Sequence, residues 1–180
     1  MTHPEVGLGP MPPNARMITV DAREVAAPVG IIFASVRDVE RWPEHLPHYR
    51  WVRFIERFAG GGGVVSMSAN RPFGPVVWPT SWTSEMQVVD RPGAAPYIRF
   101  RHIRGVTRGM DVLWSFMERR GRTRVTILHM WNGPPWPVIG VVAARVVIGP
   151  VFVHGIASRT LEGLAGVAER ASQAHAESHG

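Results

Sequence analysis

Residues 97–132 read YIRFRHIRGVTRGMDVLWSFMERRGRTRVTILHMWN, and the fold turns on how this stretch divides. Turns marked by glycine at 105–109 and 119–122 separate three runs, Tyr97–Arg104, Met110–Glu118 and Thr123–Asn132. Within each run apolar and polar residues alternate, the period of a strand with one buried and one wet face. One face collects Ile98, Phe100 and His102, then Val112, Trp114 and Phe116, then Val125, Ile127, His129 and Trp131. Arg99, Arg101, Arg122 and Arg124 fall on the other face, toward water. Asp111 falls there too, which makes it a poor candidate base. Glu56 and Glu118 are expected to pair with outward arginines.

The same alternation extends toward the N-terminus. Ser81–Asp90 places Trp82, Ser84, Met86 and Val88 inward and ends at Arg91-Pro92-Gly93. Tyr49–Phe58 and Val64–Ala69 read as a hairpin joined through the glycines at 60–63. Asn70–Thr80 contains Pro72, Gly74, Pro75 and Pro79 and reads as a loop or a broken strand. Met17–Ala26 is the first strand. Pro28 opens a short helix over Val29–Val36, since a proline at a helix start leaves no N–H unpartnered. A second helical turn passes Trp42-Pro43 and reaches Leu46-Pro47, where Trp42 reads as a structural plug. Beyond Gly133 the chain is apolar and then amphipathic through Leu161, Leu164 and Val167, a helix to about Ala171. The expected class is α+β: a curved antiparallel sheet of about six to seven strands wrapped around one long C-terminal helix, with two short helices after the first strand. Space left in the concavity becomes a pocket.

Length and composition narrow the options. A chain of 180 residues suits one domain, expected over 16–171 between a loose leader at 1–15 and a polar tail at 172–180. Cysteine is absent and so is lysine; all 20 cationic side chains are arginine. Disulfides, thiolate nucleophiles, lysine Schiff bases and a P-loop lysine are thereby excluded. No nucleophile elbow, dinucleotide fingerprint or paired-carboxylate motif occurs, so no cofactor is expected. The net charge of +6 invites a nucleic-acid reading, but the arginines are scattered along strands, and no nucleic-acid partner is expected. The N-terminus has neither the basic region nor the apolar core of a signal peptide, which points to a cytoplasmic protein. The apolar stretch 134–157 is interrupted by Arg145, Pro150 and His154, too broken for a spanning helix. Transient contact with a membrane or a partner through 134–150 stays open, as do monomer and homodimer.

Two stretches carry a family likeness. Val25-Ala26-Ala27-Pro28 through Phe33, followed by Asp38-Val39-Glu40-Arg41-Trp42-Pro43, is similar to a strand–proline–helix opening with a D-x-x-x-W-P turn. Arg159-Thr160-Leu161-Glu162-Gly163-Leu164 is similar to a closing helix. Together they resemble the polyketide cyclase/dehydrase and lipid-transport group of the START and birch-pollen-allergen-like superfamily, over about residues 17–170. The resemblance implies the helix-grip fold and a cavity for a hydrophobic ligand: a polyketide, aromatic polycycle, lipid or isoprenoid. It spans cyclases, dehydratases, carriers and receptors, and the alternative to a catalytic reading is a non-catalytic carrier or chaperone of lipid or quinone, or an interaction module. The stretch 134–150 departs from the group in being unusually apolar and broken by Gly and Pro.

The inward faces bring two histidines among tryptophans. A neutral imidazole in an apolar pocket suits proton removal beside a carbonyl and proton delivery to an oxygen, so His102 and His129 are candidate acid/base residues. The competing reading is a pair of buried histidines, each hydrogen-bonded to a neighbour. A metal site is not expected from two histidines without a carboxylate. Arg71 and Tyr49 are candidates to polarise a ligand carbonyl, against a solvated arginine and a helix-capping tyrosine. Trp78, Trp82, Met86, Phe100, Trp114, Phe116, Trp131 and Phe152 are the expected ligand wall, ordinary core packing being the alternative.

Overall fold

In a computed structural model the described residues are 8–73, 76–133 and 154–178, with backbone alone at 71–73, 76 and 154. The chain runs β1 (Met17–Val25), α1 (Val29–Arg37), a 3-10 turn (Val39–Arg41), α2 (Trp42–His45), β2 (Tyr49–Arg57), β3 (Gly63–Phe73), β4 (Val76–Val89), β5 (Tyr97–Arg104), β6 (Asp111–Arg119), β7 (Arg122–Trp131) and α3 (His154–Glu177). The seven strands form one antiparallel sheet in the order β1-β7-β6-β5-β4-β3-β2. The α+β helix-grip architecture expected from the sequence is the one observed, with α3 lying against β1 and α1.

Three elements depart from expectation. The segment 70–80 is not a loop: β3 runs to Phe73 and β4 begins at Val76, paired through Phe73–Val76. Prolines are tolerated here because Pro72 and Pro79 lie near the tip of a long hairpin rather than in the sheet's middle. The tail expected from 172 onward is helical as far as Glu177, with its last turn exposed. The leader is not loose throughout. Leu8 is buried, and the Gly9 and Pro10 carbonyls accept hydrogen bonds from Arg99, Arg101 or both.

That docking corrects the reading of the convex face. Arg99 has the outward phase of β5, yet it is 7% exposed. Its Nε and Nη2 both donate to Asp111 Oδ1, at 3.0 and 2.5 Å, and Arg101 adds a 3.3 Å bond to the same oxygen. Alternation assigns a face; it does not say whether another segment covers it. Glu118 differs as well. Its Oε2 accepts the Val29 backbone N–H at 2.8 Å, satisfying a free donor at the start of α1 where negative charge is favoured.

The glycines at 60–63 do more than bend. A Cβ on Gly63, whose φ is +155°, would lie 2.1 Å from the Glu56 carbonyl oxygen. Gly163 serves packing. It lets α3 approach α2 so closely that a Cβ there would lie 2.2 Å from the buried Leu46 Cδ2. Gly163→Val is therefore expected to cost about 1–3 kcal/mol by overpacking, read as a lower urea midpoint at unchanged slope.

Candidate functional site

Paired residues on neighbouring strands point to the same side of a sheet, so the register lays out the concave wall rung by rung. One rung runs Met86–Phe100–Val112–His129–Thr19 across β4, β5, β6, β7 and β1. The next includes Val65–Ser84–His102. The two histidines thus stand on adjacent rungs of one wall.

Between this wall and the helices lies a cavity of about 70 Å³. Trp42 from α2, Tyr49 from β2 and Met67 from β3 line one part of it. Trp82, Ser84, Phe100 and His102 come from β4 and β5, and Val112, Trp114, Ile127 and His129 from β6 and β7. Thr107 and Met110 reach in from the β5–β6 turn, and Ile156, Ala157 and Thr160 from α3. The lining is aromatic and aliphatic, with hydroxyls, indole N–H groups and two imidazoles as its polar groups and no arginine, aspartate or glutamate among the described residues.

Local interactions hold this wall. His102 Nδ1 is 2.7 Å from Thr107 Oγ1, and its ring stacks on Trp82 at 6.0 Å and 26°. Thr107 is fixed by the turn that carries it: the Met110 N–H donates to its carbonyl at 3.0 Å, and the Gly109 N–H donates back to the His102 carbonyl at 2.8 Å. Gly105, at φ +100°, allows the turn to press on β4, since a Cβ there would lie 2.8 Å from the Ser81 carbonyl oxygen. On the opposite side Trp42 meets the Tyr49 ring edge-on at 5.3 Å and lies 6.0 Å from Trp114. His48 Nε2 and Thr160 Oγ1, 3.0 Å apart, tie the segment before β2 to α3.

The residues singled out in the sequence are distributed unevenly. His102, His129, Tyr49, Trp82, Phe100 and Trp114 meet at the cavity. Met86, Phe116 and Trp131 are buried away from it. Phe116 packs edge-on against Phe33 of α1 at 5.4 Å, and Trp131 donates its indole N–H to the Arg108 carbonyl at 2.9 Å. Trp78 keeps the inward phase of Trp82 but is 64% exposed near the hairpin tip, so it is no part of the wall. Face is periodic, but depth along a strand depends on where the helices cover it. Arg71 lies within β3 opposite Trp78, and its side chain lies outside the described residues, as does Phe152. Trp42, read as a plug, lines the cavity, and Ser84 and Thr107 join it. Ser84 was legible from its inward phase; Thr107, in a turn, carries no periodic signal.

Thr107 orients the His102 ring in this geometry. Thr107→Val is expected to keep the fold and change the tautomer balance of His102, seen in imidazole nitrogen NMR shifts. Unchanged shifts would rule out that positioning role.

A curved sheet closed by a long helix over an apolar cavity defines a container for a small molecule. Residues 25–151 match the polyketide cyclase/dehydrase and lipid transport family, and the chain belongs to that family. In structure it is similar to the Zhui aromatase/cyclase from Streptomyces sp. R1128, at 20% identity and a TM-score of 0.69, over 85% of this chain and 93% of that one. It is also similar to TTHA0849 from Thermus thermophilus, at 17% identity and a TM-score of 0.67, over 86% and 99% of the two chains. A START superfamily protein from Mycobacterium smegmatis matches at 18% identity and a TM-score of 0.58, over 87% and 97%. At these identities the likeness is one of fold. No curated protein matches the chain in sequence. Among the described residues no helix is long and apolar enough to cross a membrane, and no group of three or more His, Asp or Glu side chains is placed to hold a metal ion.

Proposed function

We propose that the protein binds a hydrophobic small molecule with one or two oxygens in this cavity and promotes its aldol-type cyclisation and dehydration by acid/base chemistry. One observation carries the reading: two imidazoles, His102 and His129, stand on adjacent rungs of an otherwise aromatic and aliphatic wall. One imidazole takes a proton from a carbon next to a carbonyl. The resulting enolate carbon bonds to a second carbonyl carbon of the same chain, whose oxygen takes a proton from the other imidazole. Loss of that hydroxyl with a neighbouring proton releases water and leaves a double bond. Every atom comes from the substrate, so no cofactor is needed. The Tyr49 hydroxyl is assigned to polarise the attacked carbonyl, with Arg71 as the other candidate.

The family to which the chain belongs spans lipid transport as well as cyclisation, which supports a second reading as a carrier of lipid or quinone. The two separate on a linear poly-β-keto thioester. The cyclase reading expects a cyclised aromatic product from the purified protein. Native mass spectrometry showing bound lipid or quinone, with no turnover, would establish the carrier. An empty chain with neither turnover nor lipid transfer would sink both.

A further inference from the structure

Two residues that line the cavity each carry a buried polar group with no partner among the described residues. The Trp42 indole Nε1 and the Ser84 Oγ are inaccessible to solvent and make no hydrogen bond there. Their residues are 3% and 0% exposed. Both line the same cavity as His102, and Ser84 is the strand partner of His102. Buried polar groups are nearly always paired, because leaving one unpaired forfeits its hydration without return. An indole N–H can only donate, so Trp42 needs an acceptor. A serine hydroxyl can donate to the same kind of group.

We infer that Trp42 and Ser84 are recognition donors, and that the cavity selects a ligand carrying a neutral acceptor oxygen, such as a ketone, enol or quinone carbonyl. The inference rests on the cavity being a ligand site and names what it discriminates. Neutrality follows from the lining. An anionic headgroup buried here would meet no arginine among the described residues, and burial of an uncompensated carboxylate or phosphate is costly. A plain hydrocarbon would fill the aromatic wall but leave both donors unpaired, and a site built to hydrogen-bond an oxygen rejects the analogue that lacks it.

Three probes of similar shape test this: 2-acetylnaphthalene, 2-isopropylnaphthalene and 2-naphthoate, titrated by calorimetry against the full chain. The wild-type protein is expected to bind the ketone about 10-fold or more tightly than the isopropyl compound, and the naphthoate more weakly than the ketone. Ser84→Ala and Trp42→Phe are each expected to cut that preference, read as the ratio of the two affinities within each variant, about 3–10-fold. Ser84→Ala should also raise the melting temperature of the ligand-free protein by about 2–4 °C, since it deletes an unpaired hydroxyl at little loss of packing. Should Trp42→Phe fail to fold, Ser84→Ala decides alone. Equal binding of ketone and hydrocarbon, or tighter binding of the naphthoate, overturns the inference while sparing the cavity as a ligand site. Failure of all three probes to bind overturns both.

Discussion

Asp111→Ala is expected to destabilise the protein by about 3–5 kcal/mol, a fall in melting temperature of about 6–20 °C. Asp111 is 3% exposed and accepts from both Arg99 and Arg101. Removing it leaves the Arg99 guanidinium buried with the neutral Gly9 and Pro10 carbonyls as its remaining partners among the described residues. The large cost is that of stranding a charge; it is not the net worth of the pair. Replacing the partners together, Asp111→Leu with Arg99→Met, should recover most of the loss. Arg124→Ala is the control. Its pair with Glu24 is exposed on both sides, and its removal should cost under about 1 kcal/mol. Chemical denaturation read by tryptophan fluorescence measures all of them. If Asp111→Ala behaves like Arg124→Ala, the convex-face network is hydrated in solution and the leader does not cover it.

His102→Ala is expected to lower turnover of a poly-β-keto substrate about 10²–10⁴-fold, the usual contribution of a placed acid or base. Affinity for substrate should change by only a few fold, since the removed ring supplies a small part of the wall. His129→Ala is expected to behave in the same way, and the double variant to lose little more than either single one, as for groups that act as a unit. Binding measured beside turnover keeps the result interpretable. Loss of both together marks a collapsed cavity. Normal turnover in both variants would show that neither imidazole moves a proton, and would leave the histidines as buried hydrogen-bonding residues.

Much of this molecule is legible in its pattern of side chains. The alternation in 97–132 gives β5, β6 and β7 to within a residue or two, and assigns His102 and His129 to the same face as Trp114. The proline at 28 marks the start of α1 and the 3.6 period marks α3. Such signals are local, because side-chain direction is set by backbone geometry over a few residues. Less visible is anything that depends on which segment lies over which. Arg99 has the phase of a wet residue and is buried where Gly9 and Pro10 cross it. Trp78 has the phase of a cavity residue and is exposed. Thr107 belongs to a turn, where no period announces that its hydroxyl will meet an imidazole.

By itself the sequence determined the order of strands and helices, the buried face of β4 to β7, and the exclusion of thiol and lysine chemistry. Those follow from composition and short-range periodicity. In β1 the apolar Ile18 and Val20 lie on the exposed face. Only the tertiary structure decided that three of the expected aromatic wall residues belong to the cavity, that Trp42 and Ser84 line it, and that the Trp42 Nε1 and Ser84 Oγ have no partner among the described residues. Burial and hydrogen-bond partnership are properties of contacts between residues far apart in the chain, and β-pairing across a curved sheet brings those together only once the fold is complete.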